Sequence, residues 1–495
     1  MKALIMGGGM SGLATAINLL ELGFEVELIE ADDMFGGRAS SWIDEDGDMI
    51  DNALHVFFPY YVNLVNFFKK IGVADKIMWK RPEYYFAQQG GNQAVLKYAN
   101  IPAPFHAVGA MFGMIKAYQG LPWWKMIFAA ASLSLLITKT DEEIDQLDDM
   151  TWGEWCMRHG PKGAFKFLDP GAHGLTFTEP YALSAKVFAN WARKCNSSAA
   201  DATIGFADGG LGEIWVDNCL AYIRKKGGAC ALNQTVTAIN VEDGKIRSIV
   251  INGKDERTAD IYVSAMSPYA LRKILPKESF RLPYFKDLTH FQVAPSLSIQ
   301  IWFDRKLTDV DVTFFTEDAI FNTYADLSNV LPHIFKGGSM VEMVISPAGA
   351  AQNLPDEIIF EDCLRDIKNV FPGAGDAAVK KWKVVRERQG VYSPVKGMES
   401  HRPFQRSPYG NFYLTGDYTK TPVSSGGMEA AIWTANKCTE VIVQDKLGKG
   451  LDLNITFNSI KGFTPLLRPV MKVSKYAAAM VLAAKGLRYA MKMYR

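Results

Sequence analysis

Residues 2–30, KALIMGGGMSGLATAINLLELGFEVELIE, decide the fold. The apolar run Ala3–Met6 reads as a buried parallel strand, and Leu13–Leu22 carries apolar residues at helical spacing. Gly23 ends that helix, and FEVELIE follows as a second strand that finishes on Glu30. Between the first strand and the helix stand Gly7, Gly9 and Gly12, in the pattern GxGxxG. Each glycine answers a physical need: a tight turn, backbone room for a pyrophosphate, and close packing of helix on strand below the free N–H groups of the helix N-terminus. Glu30 stands where an acid accepts hydrogen bonds from a ribose 2′-OH, and an acid there disfavours a 2′-phosphate. The unit therefore predicts a dinucleotide site for FAD or NAD. ADDMFGGRAS (31–40) adds Gly36, Gly37 and Arg38, a second backbone turn carrying a cation suited to a pyrophosphate.

A chain of 495 residues has room for two or three domains at roughly 100 to 200 residues each. Lys and Arg number 54 against 53 Asp and Glu, so no global basic field points to nucleic acid. Cys156, Cys195, Cys219, Cys230, Cys363 and Cys438 follow neither a CxxC nor a zinc spacing, and read as free thiols in a reducing, cytoplasmic setting. The N-terminus opens directly into a strand, with no signal-peptide pattern. No apolar run reaches the roughly 18 to 20 residues that span a bilayer. GxSxG, HExxH and metal-ligand clusters are missing from the sequence, so hydrolase and metalloenzyme readings gain no support and no metal is expected.

Further blocks carry more specific information. DMIDNALHVFFPYYVNLVNFFKKIG (48–72) sets Leu54-His55 before aromatics and a helix. DGGLGEIWVDNCLAYIRKKGG (208–228) is a glycine-rich loop and helix; alternating strands follow, with turns at Asp243-Gly244 and Asn252-Gly253. GDYTKTPVSSGGMEAAIW (416–433) takes a strand through Gly416-Asp417 and a glycine turn into a helix. Together these resemble the flavin-containing amine oxidase superfamily, and within it the plant and cyanobacterial type of phytoene and ζ-carotene desaturases and their squalene-pathway relatives. PAPFHAVGAMFGM (102–114) is similar to the LPAPL region of the plant-type enzymes. Residues 280–395 match no motif of the family.

The resemblance implies an α/β protein: a Rossmann-like FAD-binding domain of the GR2 or amine-oxidase type, an inserted α+β substrate domain and a helical membrane-contact region. The expected partition assigns 1–85, 205–270 and 400–445 to the FAD domain, 86–204 and 271–399 to the substrate and membrane-contact domain, and 446–495 to a basic tail. It implies FAD held by the glycines above, Glu30 and Arg38, with a backbone contact near Val236 on the adenine side. Asp417 would bond a ribityl hydroxyl. The helix from Met428, entered through Gly427, would aim its free N–H groups at the flavin N1/O2 edge, where a helix N-terminus stabilises the charge that reduction leaves. His55 is the polar residue singled out near the flavin; a structural histidine bonded to backbone is the equal alternative. The chain departs from the family at Ala430, where Gly is usual, at Pro59, and at Asn52-Ala53.

The expected reaction is desaturation of a long isoprenoid, with hydride passing to flavin and electrons to a quinone or other acceptor. A hydroxysqualene dehydroxylase, an amine or protoporphyrinogen oxidase-like enzyme, and a non-redox carotene isomerase remain open on the same scaffold. The aromatic stretches of 280–330 fit either a tunnel lining or a plain sheet core. Arg402 and Arg406, just ahead of the closing strand, read as surface residues, with a contact to the cofactor or the cavity mouth as the alternative. Trp123-Trp124-Lys125 beside a short apolar helix within 101–138 fits a segment lying in the headgroup boundary or an ordinary core helix. From residue 453 there is no Asp or Glu, while Arg468, Lys472, Lys475, Lys485, Arg488, Lys492 and Arg495 recur at helical spacing. This predicts a basic amphipathic helix from near 470 on a membrane surface, and hence a cytoplasmic, peripherally membrane-associated protein.

Overall fold

The computed structural model describes residues 1–103, 105–423, 426–457 and 469. The N-terminal unit forms as the glycine and apolar pattern requires: β1 (Lys2–Met6), α1 (Met10–Glu21) and β2 (Glu25–Ile29). Every residue of α1 from Met10 to Leu20 is buried, because the helix lies between the sheet and a long C-terminal helix. A hairpin of β3 (Ser41–Ile43) and β4 (Met49–Asp51) follows, and then α2 (Val62–Lys70).

The chain next leaves this domain through β5 (Glu83–Ala87) and β6 (Gln93–Lys97), and enters a helical region. That region includes α3 (Phe105–Ala117), α4 (Trp123–Ile137), α5 (Trp152–His159) and α6 (Ala185–Cys195). It returns through β7 (Ala229–Ala231) to an antiparallel meander of β8 (Val236–Glu242), β9 (Lys245–Ile251) and β10 (Asp255–Arg257). Both hairpin turns, Asp243-Gly244 and Asn252-Gly253, have positive φ at both residues, the backbone twist that two-residue hairpins favour. β11 (Ile261–Ser264) re-enters the first sheet.

A second excursion supplies β12 (Val293–Phe303), β13 (Phe314–Phe315), β14 (Thr323–Asp326) and β15 (Met340–Ile345). The helix α7 (Asp356–Val370) and the strand β16 (Val379–Tyr392) complete it. The chain closes with β17 (Phe412–Leu414) and α8 (Met428–Leu447).

Two large sheets result. The first is five-stranded and parallel, in the order β17-β11-β1-β2-β7. The second is seven-stranded, in the order β16-β12-β15-β14-β13-β5-β6. Because β5 pairs with β6 and β13, the boundary expected at 85/86 falls inside a strand.

Strand alternation gives the second sheet two different faces. Ile299, Ile301, Val341, Met343 and Tyr324 pack beneath α7, whereas Met340, Ala325, Phe315, Tyr84 and Phe86 meet the helical region. The aromatics of 280–330 therefore serve both expected roles, Phe314 in the sheet core and Phe315 against the helices. Among the described residues no helix is long and apolar enough to cross a membrane. α3 and α4 bury Met111, Met114, Met126 and Ala129, while Phe105, Phe112 and Trp123 are about half exposed. The helix expected from near 470 falls outside the described residues.

Candidate functional site

The glycine turn between β1 and α1 is held from two sides. A Cβ on Gly12 would stand 1.9 Å from the Gly7 carbonyl oxygen, and one on Gly7 would stand 2.9 Å from the backbone of Ala265. Gly9 instead faces open space, its nearest neighbour being the Gly36 carbonyl oxygen at 3.9 Å from a built Cβ. The second turn lies directly against the first: Gly36 N–H donates to the Gly8 carbonyl at 3.0 Å, and Gly9 bridges Gly36. Gly37, in the left-handed region, then turns Arg38 back over the sheet.

Glu30, just past β2, reaches across the turn and accepts from Gly8 N–H at 2.6 Å, with Ala31 and Asp32 N–H on its other oxygen. Residues 231–236 run beside it: Glu30 N–H donates to Ala231, and Gln234 N–H to the Glu30 carbonyl at 2.8 Å. This brings Val236, buried at the start of β8, to the Glu30 end of the site.

At the other end, Arg38 Nη2 pairs with Asp417 Oδ1 at 2.9 Å, while Asp417 Oδ2 accepts from Gly427 N–H at 3.1 Å. Asp417 thus bridges the second glycine turn to the start of α8. Gly416, next to it after β17, donates its N–H to Thr434 of α8 at 3.2 Å. A Cβ on Gly426 would stand 3.0 Å from Asp417 Oδ2.

Both helices that open on these turns, α1 at Gly9 and α8 at Gly427, begin without a capping side chain. Two other helices, starting at Asp141 and Trp152, instead carry capping boxes at Thr140 and Thr151. Two uncapped N-termini, a cation left 41 % exposed beside a carboxylate only 6 % exposed, and open space over Gly9 form a cradle for an anionic, extended ligand. All the glycines, acids and the arginine singled out in the sequence lie along this one strip.

His55 lies beside it but is otherwise engaged. Its Nδ1 is 2.6 Å from the Ala53 carbonyl, and burial, with Arg38 nearby, pushes the imidazole below its usual value and keeps it neutral. The structural alternative for His55 matches this geometry.

Two residues gain their roles only in the fold. Arg402 is not on the surface: its guanidinium is fully buried, donates to the carbonyls of Asp417 (2.6 Å) and Thr419 (3.1 Å), and pairs with Glu399 at 2.9 Å. It holds the backbone that presents Asp417. Arg406 is exposed and pairs with Asp445, as read. Glu429, the second residue of α8, turns away from the strip to accept Asn63 Nδ2 and the N–H groups of Asn63 and Leu64, which caps α2. The available signal for Arg402 was its place just ahead of the closing strand; the fold alone supplied its carbonyl partners.

Two groupings of possible ligand type also appear only in three dimensions. Asp44, Asp46 and Asp48 surround Lys381 Nζ, and Asp287 joins His401 at 3.0 Å beside His290. The first is occupied by its own lysine.

A cavity of about 80 Å³ lies between the helical region and the second sheet, lined by Phe86, Phe315, Met111, Ile137 and Phe188. Among the described residues no charged side chain lines it. Its Trp191 and Cys195 end adjoins Tyr60 and Tyr61, and Tyr61 in turn lies near Glu429 at the start of α8. An apolar chamber thus ends close to the anion-seeking strip.

The flavin containing amine oxidoreductase model matches residues 10–443. The 15-cis-phytoene desaturase of Synechococcus elongatus is 30% identical over 90% of this chain and 97% of its own length. The zeta-carotene desaturase of Synechocystis sp. is 28% identical over 90% of this chain and 98% of its own. Among solved structures, an oxidoreductase from Methanosarcina mazei superposes with a TM-score of 0.68 at 19% identity, over 88% of this chain and 99% of that one, a likeness of fold. With its glycine turns and twin uncapped helices in that register, the chain belongs to the flavin containing amine oxidoreductase family.

Proposed function

We propose that this chain is an FAD-dependent desaturase of a long isoprenoid of the phytoene or ζ-carotene class. The observation that carries the reading is the uncharged aromatic cavity, which ends beside a strip built for an anionic cofactor: a substrate with no polar handle needs such a chamber. The names of the two desaturase relatives support the substrate class.

In this reading Gly7, Gly9, Gly12, Gly36, Gly37 and Arg38 hold the pyrophosphate, with α1 aimed at it. Glu30 and the backbone at Val236 hold the adenosine end. Gly416, Asp417, Gly427 and Met428 hold the ribityl and ring end, where the N-terminus of α8 favours negative charge. FAD held by these residues would supply a two-electron sink for a hydride, so that loss of a hydride and of a proton from adjacent carbons would leave a C=C in the substrate. A quinone or another acceptor then removes the electrons. The exposure of Phe105, Phe112 and Trp123 supports entry of such a substrate from a lipid surface.

Anaerobic incubation of the flavin-loaded protein in liposomes with phytoene or ζ-carotene tests this. Bleaching of the flavin with a longer polyene in the extract is expected. An oxidised flavin and unchanged lipid refute the desaturase reading, and product without consumption of an electron acceptor identifies an isomerase instead. Asp417→Ala is expected to lower the flavin-to-protein ratio while the chain stays folded, because it leaves Arg38 unpaired at the cofactor edge and frees the Gly427 N–H.

A further inference from the structure

The face of the second sheet that lines the cavity carries, two strands away, a polar group that nothing above uses. On β15, Glu342 points to the same side as Met340, and on β12 Ser298 and Gln300 point to the same side as Trp302. Glu342 and Gln300 are fully buried, and Ser298 nearly so. Glu342 Oε1 accepts from Ser298 Oγ at 3.2 Å and Gln300 Nε2 at 3.4 Å, and Gln300 Nε2 also reaches the Asp51 carbonyl at 3.3 Å. Among the described residues Glu342 Oε2, Asp51 Oδ1 and Gln300 Oε1 are sealed from solvent with no hydrogen-bond partner. Gln300 thus links two residues with buried carboxyl groups, each keeping one oxygen unsatisfied.

Among the described residues no cation forms an ion pair with either. Arg38 is committed to Asp417, and Lys381 to Asp44, Asp46 and Asp48. Glu387 is engaged by Asn52, and His55 is neutral. Lys383, half-buried on β16 opposite Gln300, is the remaining charged group on this face. Burial raises both carboxyls well above the ordinary carboxylate range, and for Glu342 the neighbouring Asp51 raises it further; the Leu211 N–H opposes this at Asp51. Two like charges in one dry site cannot both ionise, so a shared proton is the stable arrangement.

The location gives the pair a use. Asp51 ends the hairpin that follows the Gly36-Gly37-Arg38 turn. The next residue, Asn52, donates to the Arg38 carbonyl at 3.2 Å. We propose that Asp51 and Glu342 form a proton-holding pair at the cofactor end of the cavity face, which takes up the proton that desaturation releases; this rests on the desaturase reading above. The C–H bond that yields the proton leaves its electron pair in the new C=C, and the pair passes from singly to doubly protonated at Glu342 Oε2 or Asp51 Oδ1. The other two electrons depart to the flavin, and the stored proton leaves when the quinone-class acceptor is reduced.

The test uses the flavin-loaded full chain with Glu342→Gln and Asp51→Asn, and its first readout needs no substrate. Infrared spectra from mildly acidic to mildly alkaline pH are expected to show a protonated-carboxyl band that fades through neutral pH. In Asp51→Asn the surviving Glu342 carboxyl should titrate lower. A wild-type spectrum without such a band, or one untouched by both substitutions, overturns the pair. The second readout is the pH profile of flavin bleaching by phytoene in liposomes. The wild type is expected to quicken as pH rises, and Glu342→Gln to be roughly a hundredfold slower with the same flavin content and a flattened profile. An unchanged profile in Glu342→Gln overturns proton uptake; if that variant fails to fold, Asp51→Asn carries both readouts. If phytoene leaves the wild-type flavin oxidised, the substrate reading fails while the infrared titration still decides the pair.

Discussion

Gly12 has no room for a side chain, since a Cβ there would overlap the Gly7 carbonyl oxygen at 1.9 Å. Gly12→Ala must push helix α1 off the first strand, at a cost of roughly 1–3 kcal/mol, and should abolish flavin retention. Thermal unfolding and the flavin-to-protein ratio check both. Glu429 makes a prediction of a different kind. Burial pushes its carboxyl up to about 7, against the bonds it accepts from Asn63 and Leu64, and Asp169 is likewise pushed up to about 7 by burial. A folded-state value above the unfolded one, about 4.3 for Glu, means that the native chain keeps protons which the unfolded chain releases. Its stabilising effect is full below about pH 4 and fades as pH rises towards 7, at up to about 1.4 kcal/mol per pH unit for each group. Glu429→Gln should flatten the fall in stability across that window, as read by denaturant midpoints at several pH values; an unaltered slope refutes the assignment. Of the residues that hold the strip, Gly7, Gly9, Gly12, Glu30 and Arg38 were legible because they act within one short segment. Arg402 was not, because its role is defined by carbonyls at 417 and 419 that only folding brings to it.

At the scale of elements, the closing helix α8 does two jobs from adjacent residues. Its N-cap Gly427 is tied to Asp417, while Glu429 caps α2 through Asn63 and Leu64, so the helix that opens on the strip is also fixed to the element beside the cavity. The sequence showed the Gly-Gly-Met-Glu pattern but not that its glutamate points the other way. Helices α4 and α6 wall the cavity, with Ala130 and Ala192 as the small residues that keep it open. Ala192→Phe should fill that space and lower isoprenoid turnover at least roughly tenfold with flavin content unchanged, because the altered residue lies in the chamber and not on the strip. Equal turnover in liposomes, with the variant folded, removes the cavity from the reaction. The strands of 280–330 teach a related point. Their aromatics alternate between a core packed under α7 and a face turned to the helices, and composition cannot separate Phe314 from Phe315 when the register is unknown.

At the scale of the whole molecule, two sheets share one junction. The parallel sheet ends at the glycine turns, the second sheet lines an apolar chamber, and the hairpin β3–β4 with the 52–61 loop joins them through Asn52 and Gln300. This join places an anion-seeking strip next to an uncharged cavity. The membrane reading belongs to this scale too. Deleting residues 463–495 should move the protein from the liposome pellet to the supernatant at low salt, since the seven cations singled out there each contribute about 1 kcal/mol near an anionic surface. Continued pelleting assigns the attachment to the exposed Ile101, Phe105, Phe112 and Trp123 instead.

By itself the sequence determined the nucleotide-binding βαβ unit, the second glycine turn, the hairpins of the meander and the flavoprotein family, because each is written in contiguous residues whose backbone geometry is local. Only the tertiary structure decided that Arg402 is buried, which face of the second sheet meets the cavity, and that Gln300 joins Glu342 to the Asp51 carbonyl. Those outcomes depend on strand register and on contacts between residues hundreds of positions apart, which no local pattern encodes.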